Sequence, residues 1–284
     1  MTIEIKSLEG LTFNELYEAF ERAFADYEVK MTKPDVERML HRRGFFPSLS
    51  FGAFDNDQLV AFTFNGIGTF NNLRTAYDTG TGTVPDYRGQ GLAKHIFQYS
   101  IPYLQQARVK QYLLEVLQNN EKAVALYKKM GFKVTREFTY FILNKDQFRL
   151  ANQSISSAYI LSQVNVASTS FDPDFEDHLP SWQNSFDSVN RAVSDFMAFA
   201  IYHQEKMVAY CIFDPETGDI TKLAVHPKHR GRGMEKVLLD KAAANIQNEK
   251  IKFINVPLET SLYTFLTENH FLYSGKQYEM VVAL

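Results

Sequence analysis

Asp78-Thr79-Gly80-Thr81-Gly82-Thr83-Val84-Pro85-Asp86-Tyr87-Arg88-Gly89-Gln90-Gly91-Leu92-Ala93 is the stretch on which the fold is decided. Thr79 to Val84 reads as a strand stopped by Pro85, and the apolar spacing from Leu92 to Ala107 predicts a helix. A backbone that turns sharply from strand to helix through two glycines presents N–H groups at the positive end of the helix dipole, a seat suited to phosphate. Gly89 and Gly91 let the main chain approach an anion, Arg88 adds charge, and Ala93 keeps the first helical turn small. The dinucleotide fingerprint Gly-x-Gly-x-x-Gly and the Gly-Lys-Ser/Thr loop are both absent.

The stretch has an echo, Pro227-Lys228-His229-Arg230-Gly231-Arg232-Gly233, with the two arginines 142 positions apart. Each turn follows a strand-like run (Thr79 to Val84, Ile220 to Val225) and precedes a helical one (Leu92 to Ala107, Met234 to Ile246). Each helix is followed by an apolar strand, Tyr112 to Val116 or Ile251 to Val256. A second helix then ends in Gly131-Phe132 or His270-Phe271, and Phe132 and Phe271 are 139 apart. The nearly constant offset indicates a duplicated domain. Copy one begins with the short strand Ile3-Glu4-Ile5, helices Phe13 to Ala25 and Pro34 to Arg42, and paired strands Ser50 to Phe54 and Leu59 to Ile67. Copy two offers strands Phe196 to His203 and Met207 to Phe213, with helix-forming sequence around Trp182 to Ala192. Hairpin strands followed by strand-helix-strand-helix predict an α/β or α+β domain with a mixed sheet and helices on both faces. The expected division is residues 1–145, a polar linker 146–157, and residues 158–284.

Composition narrows the function. The 284 residues are 45% hydrophobic and 22% charged, an ordinary globular balance with 24 Phe and 15 Tyr for the core. A net charge of −3 supplies no drive toward nucleic acid or anionic lipid, so neither is expected as a partner. Cys211 is the single cysteine, no apolar run is long enough to span a bilayer, and no signal-peptide pattern is seen, so a cytoplasmic protein is expected. His226 and His229 flank Pro227 with no carboxylate or cysteine cluster beside them, and no metal is expected.

A second block in copy one, Leu114-Glu115-Val116, Asn119-Asn120, Ala123, Leu126-Tyr127 and Met130-Gly131-Phe132, lies at a fixed distance from the turn. Together with Arg88-Gly89-Gln90-Gly91-Leu92-Ala93 it resembles the GNAT superfamily of acyl-coenzyme A dependent N-acetyltransferases. The resemblance implies two tandem GNAT-like domains, each with a central splayed sheet flanked by helices. It implies an acetyl group passed directly from acetyl-coenzyme A to a primary amine of a small molecule or peptide. It places the pyrophosphate on the turn through Arg88, Gly89, Gln90, Gly91, Leu92 and Ala93, and the pantetheine along Thr83, Val84 and Asn120. Tyr127 takes the position whose phenol protonates the departing thiolate, and Glu115 that of the base or its relay. Asp78, on the preceding strand, is the second candidate base, since a carboxylate desolvated in a cleft has its pKa raised. Asn120 also suits a helix N-cap, and the two roles are compatible. The glycines of Asp78 to Thr83 leave room for ligand in a splayed cleft or mark a bulge.

Copy two departs from the pattern. Glu235 stands where Ala93 does, and aligning Phe271 with Phe132 puts Leu266 opposite Tyr127 and Glu259 opposite Asn120. It reads as a catalytically inert companion that shapes the acceptor cleft or makes a homodimer. The alternative from another class is a non-catalytic coenzyme A sensor or scaffold. The acceptor side of copy one mixes Asp26, Tyr27, Glu28, Asp35 and Glu37 with Lys30, Lys33, Arg38, Arg42 and Arg43, and declares no charge preference.

Overall fold

The computed structural model describes residues 3–27, 30–147 and 155–284. The chain forms two compact units: residues Met1–Thr135 with Tyr278–Leu284, and residues Arg136–Gln277. The ten residues 136–145, which the sequence reading assigned to copy one, fall in the second unit, and residues Tyr278–Leu284 fall in the first. Much of the expected linker lies outside the described residues, and Glu28 does as well.

In the first unit, β1 (Ile3–Ser7), β2 (Phe51–Asp55), β3 (Gln58–Phe70) and β4 (Leu73–Thr83) form an antiparallel run. The β3–β4 connection is the two-residue turn Asn71-Asn72, with φ of 48° and 60°. A turn with two positive φ values matches the right-handed twist of its strands, and asparagine tolerates that conformation well. β4 begins six residues before the predicted strand. Helices α1 (Phe13–Ala23) and α2 (Lys33–Arg43) each start with a capping box, Thr12 with Glu15 and Thr32 with Asp35. α1 buries Leu16, Ala19, Phe20 and Ala23 against Phe62 and Phe64 of β3. Beyond the turn come α3 (Leu92–Gln106), β5 (Gln111–Leu117) and α4 (Glu121–Lys129).

The core around β5 is completed from far along the chain. β6 (Lys133–Asn144) and β12 (Leu272–Ala283) both follow second helices, and neither is legible as a strand in the sequence reading. The C-terminal half of β12 gives the first unit Met280, fully buried among Phe97, Tyr112, Leu114 and Phe132, with Tyr278, Val282 and Leu284 packed around it. The Leu284 N–H donates to the Lys110 carbonyl (3.1 Å).

The second unit repeats the plan with fewer helices. β7 (Tyr159–Val164), β8 (Met197–His203), β9 (Lys206–Phe213) and β10 (Ile220–Val225) form an antiparallel sheet. α5 (Phe186–Arg191) is the one helix of at least six residues before the turn among the described residues. α6 (Met234–Asn245), β11 (Lys250–Pro257) and α7 (Ser261–Glu268) follow, and β11 pairs antiparallel with β6. α6 buries Leu238, Leu239 and Ala242 on the sheet.

The duplication shows in the backbone itself. On β4 one extra residue, Thr79, lies between partners Asn65–Asp78 and Phe64–Gly80. On β10 one extra residue, Thr221, lies between Phe213–Ile220 and Ile212–Lys222. The two bulges are 142 positions apart, the offset of the two arginines, and bulges re-aim side chains next to functional sites.

Met280→Ala should destabilise the chain by about 2–5 kcal/mol, the usual cost of emptying a buried Met site. Urea unfolding checks it, and an unchanged midpoint would mean that the C-terminal residues do not share the first unit's core.

Candidate active site

β4 and β5 run parallel but pair at only three positions, Thr75 with Gln111, Ala76 with Tyr112 and Tyr77 with Leu113. From Asp78 onward β4 has no partner on that side, and a wedge opens toward the glycine turn. The bulge at Thr79 falls at the same place, as one of the two readings of the Asp78 to Thr83 run expects. The glycines themselves serve packing. A Cβ on Gly82 would stand 2.6 Å from the Phe62 ring and 3.0 Å from the Ala23 Cβ. Gly80 lies over Phe64, whose ring stacks on Phe62 at 4.2 Å. The aromatic core under α1, rather than a ligand, takes the room that these glycines leave.

Asp78 stands where the strands part. Its Oδ2 accepts hydrogen bonds from the Tyr127 phenol (3.2 Å) and the Thr81 hydroxyl (2.8 Å), and Thr81 Oγ1 lies 3.2 Å from Thr63 Oγ1. Its Oδ1 is buried and makes no hydrogen bond. Asp78, Thr63, Thr81 and Tyr127 line one small cavity with Ala93, Phe97, Tyr112, Leu126, Met130 and Phe132. Burial raises the Asp78 carboxyl above its ordinary range, with the hydrogen bonds from Thr81 and Tyr127 opposing the shift. Burial first, and the Asp78 charge second, hold the Tyr127 phenol well above its usual value.

Glu115 is half-buried on β5, and its Oε2 accepts from the Tyr77 phenol (3.2 Å). It is not among the cavity's lining residues. The Tyr112 phenol donates to Asn65 Oδ1, and Asn65 Nδ2 donates to the Leu49 carbonyl (2.6 Å), which ties β5 to the bulge region of β3. On the acceptor side expected from the sequence, Arg43 at the end of α2 donates from Nη1 to the Thr79 carbonyl (2.8 Å).

The turn after β4 has Gly89 at φ 78° and Gly91 at φ 75°, the left-handed region where glycine is favoured. A Cβ on Gly89 would meet nothing within 4 Å, so the cradle is open. Among the described residues, no hydrogen bond is donated by the N–H groups of Gly89, Gln90 or Gly91. Leu92 points into the core with Ile96, and Ala93 lines the cavity. The Thr83 carbonyl accepts from Arg88 Nε (3.1 Å), and the Val84 N–H donates to the Val60 carbonyl (2.9 Å).

Arg88 differs from the sequence reading. Its guanidinium donates to both carboxylate oxygens of Asp26 (2.5 and 2.8 Å) and to the Ala23 carbonyl (2.9 Å), binding the turn to the end of α1. Those hydrogen bonds hold the Asp26 carboxyl down to about 2. Arg230 repeats the arrangement, donating to the Val225 (3.1 Å) and Phe175 (2.9 Å) carbonyls. The shared position of the two arginines therefore has a structural cause, beside a turn whose free N–H groups stand at the positive end of the α3 dipole. Asn120 caps α4, accepting from the Ala123 N–H (3.2 Å).

The equivalent wedge in the second unit has different chemistry. At the bulge offset Ile220 replaces Asp78, Lys222 replaces Gly80 and Leu223 replaces Thr81, while Leu266 is fully buried opposite Tyr127. Lys222, with 1% of its side chain exposed, donates to Glu176 Oε1 (2.6 Å) and lies 4.4 Å from the centre of the Phe186 ring. Lys222 and Glu176 line a cavity there with His178, Asn255 and Leu262. Glu176 Oε1 also accepts from the Tyr210 phenol (3.3 Å), and the position of Tyr127 is held by an aliphatic side chain. His226 caps its own turn by accepting from the Lys228 N–H (3.2 Å), and His229 pairs with the Tyr159 phenol (3.1 Å).

The chain matches the Acetyltransferase (GNAT) family over residues 13–132 and again over 163–261, and it belongs to that family. N-alpha-acetyltransferase 30 of Schizosaccharomyces pombe is 30% identical over 107 residues, 37% of this chain and 71% of that protein. N-alpha-acetyltransferase MAK3 of Arabidopsis thaliana is 27% identical over 106 residues, 37% of this chain and 56% of that protein. A solved tandem GNAT protein from the clavulanic acid biosynthesis pathway superimposes with a TM-score of 0.74 at 13% identity, covering 99% of this chain and 98% of its own. A GCN5-related N-acetyltransferase from Sphaerobacter thermophilus gives 0.68 at 11% identity, covering 99% of this chain and 95% of its own. The fold is thus that of a tandem GNAT protein, and the activity class is acetyl transfer.

Asp78→Asn keeps an acceptor for Tyr127 and Thr81 and removes the charge. Because the folded pKa of Asp78 is raised, its ionisation costs folding free energy above that pKa, and the cost vanishes below the ordinary carboxylate value of about 3.9. The variant should therefore gain stability over the parent as pH rises from about 4 to 8. Urea midpoints across that range check it, and a gap that does not change with pH would mean that burial leaves the carboxylate unperturbed.

Proposed function

We propose that the chain is an acetyl-coenzyme A dependent N-acetyltransferase whose working site is the wedge between β4 and β5 of the first unit. The observation that carries the reading is the pairing of Tyr127 with Asp78 at the point where the two strands part. The open turn from Gly89 to Ala93 would take the pyrophosphate, and the unpaired edge of β4 after Asp78 would hydrogen-bond the pantetheine amides. The thioester then lies beside the cavity that Tyr127, Asp78 and Thr81 line. Tyr127 protonates the departing thiolate of coenzyme A.

Between the two carboxylates the geometry favours Asp78 as the group that takes the amine's proton. It lines the cavity beside Tyr127, to which it is hydrogen-bonded, and burial raises its pKa, whereas Glu115 is not among the residues lining that cavity. Glu115 keeps a supporting place beside the acceptor's entry. The relatives named N-alpha-acetyltransferase support a peptide α-amine as the acceptor. The chemistry agrees. At about pH 7.5 roughly a third of α-amines are neutral against about one in a thousand lysine side chains, so the base need only receive a proton after attack. The second unit, with Lys222 and Glu176 across its wedge, is a non-catalytic partner.

Titration calorimetry with acetyl-coenzyme A should find one site, lost in Gly91→Val, where a branched side chain must adopt φ 75°. Thiol release with short peptides as acceptors should fall by on the order of 10²–10⁴-fold in Tyr127→Phe. Binding without thiol release above background for any amine would replace the enzyme by a coenzyme A sensor.

A further inference from the structure

We propose that Asp78 and Tyr127 act as one closed proton path, in which the proton leaving the acceptor nitrogen at Asp78 is the proton that restores Tyr127 after it has protonated the thiolate. The inference rests on the function proposed above and goes beyond it. A separate base and acid would each exchange protons with solvent. Here the two groups are joined by a 3.2 Å hydrogen bond, and both line one small cavity.

The steps balance. The amine nitrogen attacks the thioester carbonyl carbon, forming the C–N bond and moving the carbonyl pair onto oxygen. The nitrogen gives a proton to Asp78 Oδ1, the oxygen with no hydrogen-bond partner. The carbonyl re-forms, the C–S bond breaks with its electron pair on sulfur, and the Tyr127 hydroxyl gives its proton to that sulfur. A half-turn of the neutral Asp78 carboxyl then passes its proton to the phenolate. The sum is one proton moved from nitrogen to sulfur, with Asp78 again a carboxylate and Tyr127 again a phenol.

The order of events has an electrostatic cause. While Asp78 is charged, its field and its acceptor oxygen keep the proton on Tyr127. Neutralising Asp78 removes that hold, which makes the phenol a stronger acid at the moment when a thiolate is about to leave. Thr81, donating to Asp78 Oδ2, holds the charged carboxylate toward Tyr127, and the half-turn of the neutral carboxyl hands that hydrogen bond to its other oxygen. Glu115 and Tyr77 form a separate pair, and Arg43 reaches the strand through the Thr79 carbonyl.

The test is a double-mutant cycle on the full chain, reading kcat for thiol release with a peptide acceptor for the parent, Asp78→Asn, Tyr127→Phe and the double variant. Calorimetric binding of acetyl-coenzyme A, retained in all four, shows that each is folded. Each single change should cost on the order of 10²–10⁴-fold, and the double variant should fall no more than about threefold below the slower single, because groups that act as a unit are not additive. The acid limb of the kcat–pH profile should be lost in Asp78→Asn. Single effects that multiply in the double variant, or an Asp78→Asn chain with parental kcat, would overturn the closed path while leaving the acetyltransferase standing. A parent chain that binds acetyl-coenzyme A and releases no thiol with any amine would overturn both.

Discussion

Three residue pairs hold β4 against β5, and the chemistry of the first unit depends on their stopping at Tyr77 and Leu113. Had the pairing continued, the Asp78 to Thr83 edge would be spent on ladder hydrogen bonds and closed to a ligand. The bulge at Thr79 helps to end it by adding local twist, and the network from Tyr112 through Asn65 to Leu49 fixes where β3 and β5 stand on either side. A buried network of this kind rigidifies a site when its members are satisfied. One of the buried side-chain atoms without a hydrogen bond among the described residues, Asp78 Oδ1, lies where the strands separate, and such atoms in a native fold call for an explanation.

The two units show how one backbone keeps its shape while the side chains around it differ. Bulge, glycine turn and anchoring arginine persist at the same offset, because each solves a folding problem that both units share. What changed are side chains facing the wedge. Lys222 stands at the offset of Gly80, and a buried lysine needs a partner, so Glu176 accompanies it. The pair closes the wedge with charge where the first unit leaves it open.

The glycine turn, the repeat and the tandem mixed-sheet fold were legible because glycines at positive φ and a constant offset leave direct marks in sequence. Helix starts were legible through Thr12 and Thr32. The strands β6 and β12 were not: each follows a helix in a segment of mixed polarity, and their burial comes from partners distant in the chain. Tyr127 was legible as a residue, but its hydrogen bond to Asp78 was not, since 49 positions separate them and only the bulge aims one at the other. The ion pair of Arg88 was hidden for a related reason. An arginine beside a glycine turn suggests an anion, while its partner Asp26 lies 62 positions earlier.

The seven residues that finish the first unit are made only after the whole of the second. Met280 cannot enter the core around Tyr112 and Phe132 until the whole second unit has been synthesised. Domains usually fold in the order in which they emerge from the ribosome. Here the N-terminal unit must wait with an apolar flank open while its successor is translated, so a chain stalled before Tyr278 carries a sticky half-built sheet.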